Sequence, residues 1–186
     1  MKEISNLPDT ELIKLAQDGE DAAFAILVTR YESRIAKTVI GMLGDTIEAD
    51  DVGQETFVRF YRSLGSFRGD AGLGTYLTRI AINLSLNELK RRKRKSFFFY
   101  MNKTTEQELE LADNSINGDR EDVKEVVSKA LQVLEPQFRS VIVLRMIDGY
   151  STKETAKILK LPEGTVLSRL ARAQNKLKNI LGKLID

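Results

Sequence analysis

Apolar residues recur along this chain every three to four positions, a spacing typical of α-helices that bury one face. Two such series mark a first helix within residues 9–19 and a second, longer helix within residues 24–44. We expect Asp9 to cap the first helix, Gly19 to end it, and Gly44 to end the second. Because no segment alternates apolar and polar residues as a strand does, the pattern predicts an all-α chain.

Two further helices complete the first half of the chain. The third is predicted at roughly residues 48–64, with an apolar side and a densely polar side. Residues 66–75 contain three glycines and predict a loop, after which a fourth helix follows. This helix runs directly into a cationic block at residues 90–95.

The middle of the chain has a different composition. Four aromatic residues at 97–100, beginning with Phe97, either fold back on the first domain or are covered by a partner. The residues that follow are polar and acidic, which is typical of a flexible linker. The sequence thus predicts two separated helical domains, residues 1–95 and 121–186, joined by a flexible acidic linker at residues 96–120.

The last 36 residues predict two helices joined by a tight turn, which is a helix-turn-helix. Ser151 can cap the first of these helices, and Glu154 three residues later completes a capping box. Residues 161–164 contain proline and glycine and break the chain before the second helix. A second helix of this kind usually enters the major groove of DNA.

Helical spacing divides the last helix into a packing side and an outward side. The packing side holds Val166, Leu170, Ala173 and Leu177, and the outward side holds Ser168, Ala171, Arg172 and Asn175. Arg172 is suited to guanine and Asn175 to adenine, while Arg169 and Lys176 on the flank can reach phosphates. The alternative is an ordinary amphipathic surface helix whose basic side is solvated.

Composition excludes most familiar enzyme sites. The chain has neither cysteine nor histidine, so thiolate nucleophiles, imidazole bases and zinc sites built on these residues are absent. Glu48, Asp50 and Asp51 lie close together, but acids in a first helical turn usually complement the helix dipole, so we expect no metal and no cofactor. The chain has acidic residues within its first few positions and no apolar run of signal length, which predicts a cytoplasmic protein without membrane insertion.

The net charge of +2 conceals a strong asymmetry along the chain. Residues 88–103 carry seven Lys/Arg against one acid, and residues 151–186 carry eight against three. Residues 104–125, between them, carry eight acids against two bases. A cationic block that continues a structured helix is well placed to bind phosphates, so the charge pattern favours a nucleic-acid partner.

Three motifs carry a resemblance to a known family. Residues 50–61 (DDVGQETFVRFY), 75–83 (TYLTRIAIN) and 164–173 (GTVLSRLARA) resemble, in order and spacing, the extracytoplasmic-function (ECF) or group IV sigma factors of bacterial RNA polymerase. The resemblance covers both predicted domains and leaves only the linker unmatched. It implies that the first domain is similar to sigma region 2 and the second to region 4.

The resemblance also assigns site residues. In the first domain Asp51, Gln54 and Glu55 would dock on the clamp helices of the largest polymerase subunit, although the same side could be a salt-bridged solvent face. The glycine-rich loop and the fourth helix would hold the non-template strand of the minus-10 element with one base flipped. The residues expected there are Phe67, Tyr76, Arg79, Asn83, Lys90 and Arg91. The two aromatics could instead belong to the core.

In the second domain the minus-35 element would be read as duplex DNA by Ser168, Arg169, Ala171, Arg172 and Lys176. Three positions depart from the family pattern. Tyr76 stands where tryptophan is common, Asn87 where an acid is frequent, and Leu167 where a basic residue often precedes Ser-Arg. The minus-35 preference of a relative therefore cannot be transferred to this chain.

These observations predict a promoter-recognition subunit that is not itself an enzyme. Its expected partners are core RNA polymerase, promoter DNA and an anti-sigma protein. One alternative is a stand-alone helix-turn-helix regulator, which would leave the polar side of the third helix and the glycine-rich loop unexplained. A second alternative, a carboxylate-metal nuclease, requires Glu48, Asp50 and Asp51 to converge on a cation.

Overall fold

The computed structural model of the protein describes residues 4–69, 72–102 and 123–185. The secondary structure of these residues is helical, and no strand forms among them, which confirms the predicted all-α class. Within this part of the chain, no helix combines the length and the apolar character needed to cross a lipid bilayer.

The N-terminal domain is built from four α-helices within the described residues. They are α1 (Asp9–Gln17), α2 (Asp21–Leu43), α3 (Ile47–Ser63) and α4 (Leu73–Asn102), with short 3-10 turns at Ile4–Asn6 and Leu64–Ser66. Gly44 ends α2 with a φ of +79°, a left-handed conformation that glycine adopts without a Cβ clash. The predicted ends of the second and third helices are confirmed to within a residue or two.

The prediction that Asp9 caps the first helix is wrong. Pro8 occupies the N-cap position, and Asp9 is the first helical residue. Its carboxylate instead accepts hydrogen bonds from Arg30 Nη1 at 2.8 Å and from the Tyr31 hydroxyl, so it ties α1 to α2. Burial, together with this bond to Asp9, raises the pKa of Tyr31 to about 12.

Helix α4 is longer at both ends than the sequence predicts. It begins at Leu73, inside the predicted loop, and continues to Asn102, through the first seven positions of the predicted linker. Phe97 is exposed on this extension. The side chains of residues 98–100 and the linker from residue 103 onward lie outside the described part of the chain.

The C-terminal domain contains α5 (Val123–Val133), α6 (Pro136–Ile142), α7 (Thr152–Leu159) and α8 (Glu163–Ile185). Pro136 stands at the first position of α6, where its missing N–H costs nothing. The helix that begins at Pro136 is α-helical only to Ile142, because Val143–Ile147 widen into a π-helical turn. This turn is followed by Tyr150, which precedes Ser151, the N-cap of α7.

The interior of the N-terminal domain is formed by large side chains that are at most 1% exposed. They are Leu27 and Ile35 of α2, Phe60 of α3, and Leu77 and Ile82 of α4. Burying a side chain of this size stabilises a fold by roughly 1.5–3 kcal/mol. The three helices therefore hold each other in place.

The two helical domains are not separated, as the sequence predicted, but packed against each other. Val143, Leu144, Tyr150 and Ile158 of the C-terminal domain belong to the same buried cluster as the N-terminal core. The approach is close at Gly41 of α2, where an added Cβ would lie 3.0 Å from Val143 Cγ2. We call the contact of α2 and α4 with residues 139–158 the interdomain interface.

Polar contacts complete the interdomain interface. The Tyr150 hydroxyl hydrogen-bonds with Thr78 Oγ1 at 2.8 Å, and Arg139 Nη1 donates to the Met42 carbonyl oxygen at 2.6 Å. Thr38 Oγ1 donates to Asp148 Oδ2 at 2.9 Å. Burial lowers the pKa of Arg139 to about 10, which leaves the guanidinium charged at neutral pH against the carbonyl end of α2.

Candidate nucleic-acid interface

The helix-turn-helix is held by local interactions at both ends of α7. Ser151 caps α7 by accepting from the Glu154 backbone N–H at 3.2 Å, and Glu154 Oε2 accepts from the Ser151 N–H at 2.8 Å. The predicted capping box is thus confirmed. At the other end Lys160 adopts a left-handed conformation with a φ of +53° and turns the chain toward α8.

Helix α8 has the two sides that the sequence predicts. Val166 and Ala173 are fully buried, and Leu170 and Leu177 pack against the same interior. The residues on the opposite side are exposed, namely Ser168, Ala171, Arg172 and Asn175. A capped helix with a buried apolar side and an exposed polar side can enter a DNA groove without unfolding any part of its domain.

The two predicted phosphate contacts on the flank of α8 differ in their surroundings. Arg169 is half-buried. Lys176 Nζ donates to Glu135 Oε1 at 2.7 Å and lies 5.2 Å from the centre of the Phe138 ring. This hydrogen bond lowers the pKa of Glu135. Because both partners are well exposed, the pair adds little stability and can be exchanged for a phosphate contact.

The two aromatic residues predicted to meet unpaired bases lie together in an aromatic cluster. The ring centres of Phe67 and Tyr76 are 4.8 Å apart, and both rings pack edge-on against Phe60. The Tyr76 hydroxyl donates to Ser63 Oγ at 2.9 Å. Both aromatics are half-buried, so each ring is partly engaged in the fold and partly accessible.

The polar residues expected beside them follow along α4. The Arg79 guanidinium lies 5.2 Å from the centre of the Tyr76 ring, a cation–π contact one turn along the helix. Asn83 is exposed one turn further on. The structure therefore lines up Phe67, Tyr76, Arg79 and Asn83 from the loop onto α4, while residues 70 and 71 of the loop lie outside the described part.

The cationic block at the end of α4 divides into exposed and structural members. Lys90 and Arg91 are exposed, although Arg91 Nε also donates to Glu88 Oε2 at 2.7 Å. Arg92 instead donates to the Leu43 carbonyl oxygen at 3.1 Å and to Thr46 Oγ1 at 3.0 Å. Arg92 thus ties α4 to the junction of α2 and α3.

The predicted polymerase-binding side of α3 faces solvent. Asp51 and Gln54 are exposed, and Glu55 is half-buried, with its Oε1 accepting from Arg59 Nε at 2.8 Å. Gln54 borders a groove of about 310 Å³ between α2 and α3, which also exposes Ile40 and Phe57. In the described residues, no group of three or more acids is arranged to hold a metal ion, and Glu48 pairs with Arg92 instead.

The described residues of the glycine-rich loop, on either side of positions 70 and 71, face the C-terminal domain. A cavity of about 440 Å³ separates Phe67 and Thr75 on one wall from Asp148 and Tyr150 on the other. Arg34 of α2 lies between them, with its guanidinium 4.9 Å from the centre of the Tyr150 ring. Approach to the loop from this side is therefore restricted while the domains are packed together.

Comparison with known proteins supplies two family matches that fall on the two domains. Residues 27–95 match Sigma-70 region 2, and residues 124–177 match Sigma-70, region 4. The chain is 32% identical over 186 residues to the RNA polymerase sigma-H factor of Pseudomonas aeruginosa, covering 95% of each protein. It is 33% identical over 192 residues to the ECF RNA polymerase sigma-E factor of Escherichia coli K12, covering 96% of this chain and 97% of that protein. The chain is an ECF sigma factor of the sigma-70 family.

Solved structures of related chains agree with this assignment. The sigma factor resembles CnrH, solved in complex with the cytosolic domain of CnrY, with a TM-score of 0.68, 28% identity and coverage of 94% of this chain and 97% of that chain. It shares its fold with RpoE from Bartonella quintana, solved with the anti-sigma factor NepR, with a TM-score of 0.63, 24% identity and coverage of 86% and 96%. The fold is thus one that sigma factors of this kind adopt.

Membership in this family gives the protein its function, which is to initiate transcription as a subunit of RNA polymerase on promoter DNA. The alternative of a stand-alone regulator is not favoured, because the region 2 match spans the N-terminal domain that such a regulator would not need. The predicted residues of the first domain, from Asp51 to Arg91, lie within the region 2 match. Those of the second, from Ser168 to Lys176, lie within the region 4 match.

Sequence reasoning missed the polar residues of the interdomain interface. Thr38, Arg139 and Asp148 contact partners about 100 positions away, and nothing in their local sequence marks them. The cationic block does not by itself distinguish Arg92, which holds the fold together, from its exposed neighbours. Glu88 could have indicated this structural role, because it lies four residues earlier on the same helical face and pairs with Arg92.

Proposed function

We propose that this sigma factor uses three surfaces to bring core polymerase to a promoter and open it. Residues 1–95 form the domain for polymerase and the minus-10 element, residues 96–120 the linker, and residues 121–186 the domain for the minus-35 element. The observation that carries this proposal is the exposed polar side of α8, held in a capped helix-turn-helix behind a fully buried Val166 and Ala173.

At the minus-35 element, α8 enters the major groove. Ser168, Ala171 and Arg172 face the base edges, where an arginine can donate two hydrogen bonds to guanine. Arg169 and Lys176 contact the phosphates on either side. These phosphate contacts position the helix, whereas the base contacts select the sequence.

At core polymerase, the exposed side of α3 docks on the clamp helices through Asp51, Gln54 and Glu55. The neighbouring groove supports this assignment, because Ile40 and Phe57 offer apolar surface beside the polar residues. A polar rim around apolar anchors is the usual composition of a protein interface.

At the minus-10 element, the loop and α4 bind the non-template strand once it is unpaired. Phe67 and Tyr76 keep their rings in the aromatic cluster and present their accessible edges to a base. Arg79 and Asn83 contact the strand beside them, and Lys90 and Arg91 hold its phosphates. Contacts that exist only with unpaired bases favour the open duplex, because they are absent from the closed one.

Promoter binding requires the two domains to separate. The minus-10 and minus-35 elements lie about 25 base pairs apart, which is roughly 85 Å of DNA at about 3.4 Å per base pair. A compact protein of 186 residues measures roughly 40 Å across. The closed interdomain interface therefore belongs to the sigma factor away from the promoter, and it must break for both elements to be read.

An anti-sigma protein is the proposed negative regulator. The related CnrH was solved in complex with the cytosolic domain of CnrY, so a chain of this architecture can be held by a second protein. The sigma factor acts in the cytoplasm, where polymerase and DNA meet, and it has no catalytic activity of its own. If no protein other than polymerase co-purifies with it under uninduced conditions, the proposed regulator is refuted.

Selection of DNA by the holoenzyme tests the proposed function. Core polymerase with and without the sigma factor is incubated with a pool of genomic fragments, and the fragments that resist a heparin challenge are sequenced. We expect enrichment, only with the sigma factor, of fragments that share two sequence elements at a constant spacing. Enrichment by the sigma factor alone, without core polymerase, would instead establish the stand-alone regulator.

A further inference from the structure

An exposed leucine lies at the start of the reading helix. Leu167 of α8 is 55% exposed, whereas the residue before it, Val166, is fully buried. Ala171, four positions later, is also exposed. Because residues four apart in a helix are neighbours on its surface, the two side chains form a small apolar strip.

This strip has no structural role in the packing of the described residues. Leu170, Leu177 and Ile180 of α8 pack against the apolar clusters of the C-terminal domain, but Leu167 and Ala171 do not. Single exposed leucines are common on protein surfaces, so exposure alone indicates nothing. The position of the strip is what distinguishes it.

The strip is continuous with the polar side that the proposed function places against base edges. Leu167 precedes Ser168, and Ala171 precedes Arg172, so each apolar residue adjoins a residue that can hydrogen-bond to a base. Helix α8 carries five Lys/Arg and one acid, Glu163, within its span. This charge directs the helix to DNA, and the strip then lies within the groove that the helix enters.

The major groove offers one apolar group to such a strip. Thymine is the base that carries a C5-methyl group there, and apolar side chains contact that methyl directly. A lysine or arginine at position 167 would instead bind a phosphate or a guanine. We propose that Leu167 and Ala171 form an apolar pair that selects thymine in the minus-35 element by contact with its C5-methyl group. This inference rests on the proposed function, since it requires α8 to read that element.

Replacing thymine by uracil tests the contact, because uracil lacks only the methyl group. Promoters enriched by the holoenzyme are remade with uracil at each thymine of the minus-35 element, one at a time. Burial of one methyl group corresponds to about a fourfold change in affinity. We therefore expect uracil at one or two positions of the minus-35 element to weaken holoenzyme binding about fourfold. Uracil at thymines of the spacer should leave the affinity unchanged.

The variant Leu167→Ala identifies the residue responsible. It is expected to bind the thymine promoter severalfold more weakly and to respond little to uracil at the same position. Leu167→Met keeps an apolar side chain and should retain most of the response. Val133→Ala, which trims another exposed apolar residue, on α5 rather than on α8, serves as the matched control. Thermal unfolding of each variant verifies that the fold is intact.

Three results would overturn the inference. The first is equal binding to thymine and uracil promoters by the unchanged protein. The second is a Leu167→Ala variant that binds more weakly yet responds fully to uracil, which would assign Leu167 to another contact. The third is an enriched minus-35 element with no thymine on either strand. In all three cases promoter-dependent binding persists, so the proposed function stands; a complete lack of promoter binding would refute both.

Discussion

Arginine residues perform two different roles in this protein, and their hydrogen bonds separate the roles. Arg92 and Arg139 donate to the carbonyl oxygens of Leu43 and Met42 at the end of α2, so they hold the fold together. Arg172 is exposed on α8 and makes no ion pair within the described residues. A guanidinium that is not used by its own fold is available to a base or a phosphate.

The prediction at this scale concerns the two arginines of α8. Arg172→Ala is expected to weaken binding of the minus-35 element by about 1–3 kcal/mol, because a hydrogen-bonded base contact is lost. Arg169→Ala should weaken binding to all sequences alike, because it removes a phosphate contact. Holoenzyme affinity for specific and scrambled minus-35 fragments, measured over a range of salt concentrations, separates the two effects. Equal losses on both fragments for Arg172→Ala would contradict its role as a base contact.

The helix-turn-helix is the element whose sequence signals are strongest. The capping box of Ser151 and Glu154, the turn after α7 and the buried spacing of α8 are local features, and the sequence predicts each of them. It does not predict the left-handed Lys160, because such a position usually holds glycine or asparagine. Local signals thus predict the helices of the proposed DNA-reading site well.

Lys160→Gly is expected to stabilise the helix-turn-helix. A lysine with φ of +53° carries a steric cost of roughly 1 kcal/mol, which glycine avoids, although glycine also makes the unfolded chain more flexible. We expect a net gain of about 0.5 kcal/mol in the free energy of unfolding. Lys157→Gly, inside α7, is the matched control and should lose about 1 kcal/mol. Urea unfolding followed by circular dichroism measures both, and a loss at position 160 would contradict the assigned conformation.

Elements that depend on distant partners were predicted less well. Asp9 is predicted to cap α1, but its carboxylate accepts hydrogen bonds from Arg30 and Tyr31 of α2. Helical spacing also does not indicate that Phe67 and Tyr76 share an aromatic cluster with Phe60. The π-helical turn at Val143–Ile147 also lacks a sequence signal, since its residues continue the apolar spacing of α6. Such features follow from which side chains meet after folding, and helical periodicity does not encode that.

At the scale of the whole molecule, the proposed function makes the interdomain interface the contact that must open before the DNA-reading surfaces can act. Tyr150 reaches α4 two residues from Tyr76, so the second domain lies beside the predicted minus-10 site. Asp148 lies in the same interface, and burial raises its pKa to about 6, despite the Thr38 hydrogen bond and the nearby Arg34 and Lys37. Its ionisation therefore weakens the interface.

The folded protein is expected to be more stable at pH 5 than at pH 7. The pKa of Asp148 is higher in the folded than in the unfolded chain, so the folded state binds more protons between about pH 4 and pH 6, and stability falls across that window. A pKa that rises from 3.8 to about 6 on folding corresponds to roughly 2–3 kcal/mol over the whole window, and about half of this is lost between pH 5 and pH 7. Asp148→Asn, which keeps an acceptor for Thr38, should remove this part of the pH dependence and raise stability at pH 7.

Urea unfolding of both proteins at pH 5 and pH 7 measures this effect. The matched control is Asp45→Asn, at an exposed carboxylate outside the interdomain interface. Should Asp148→Asn and the unchanged protein show the same dependence on pH, the buried carboxylate would not be the cause.

A disulfide across the interdomain interface is expected to block transcription. An added Cβ at Gly41 would lie 3.0 and 3.4 Å from the two γ-carbons of Val143, so the variant Gly41→Cys/Val143→Cys places two Cβ atoms within the range of about 3.5–4.5 Å that a disulfide requires. The chain has no other cysteine to interfere. We expect the oxidised variant to be inactive with core polymerase and the reduced variant to be active. Each single variant controls for the substitution itself, and full activity of the oxidised form would show that the domains need not separate.

Run-off transcription with purified core polymerase tests the central claim most directly. Fragments enriched by the holoenzyme serve as templates, with and without the sigma factor, and transcripts are mapped to their start sites. The account predicts discrete starts that depend on the sigma factor and lie just downstream of the shared minus-10 element. Failure to bind core polymerase, with no transcript from any enriched fragment, would contradict it.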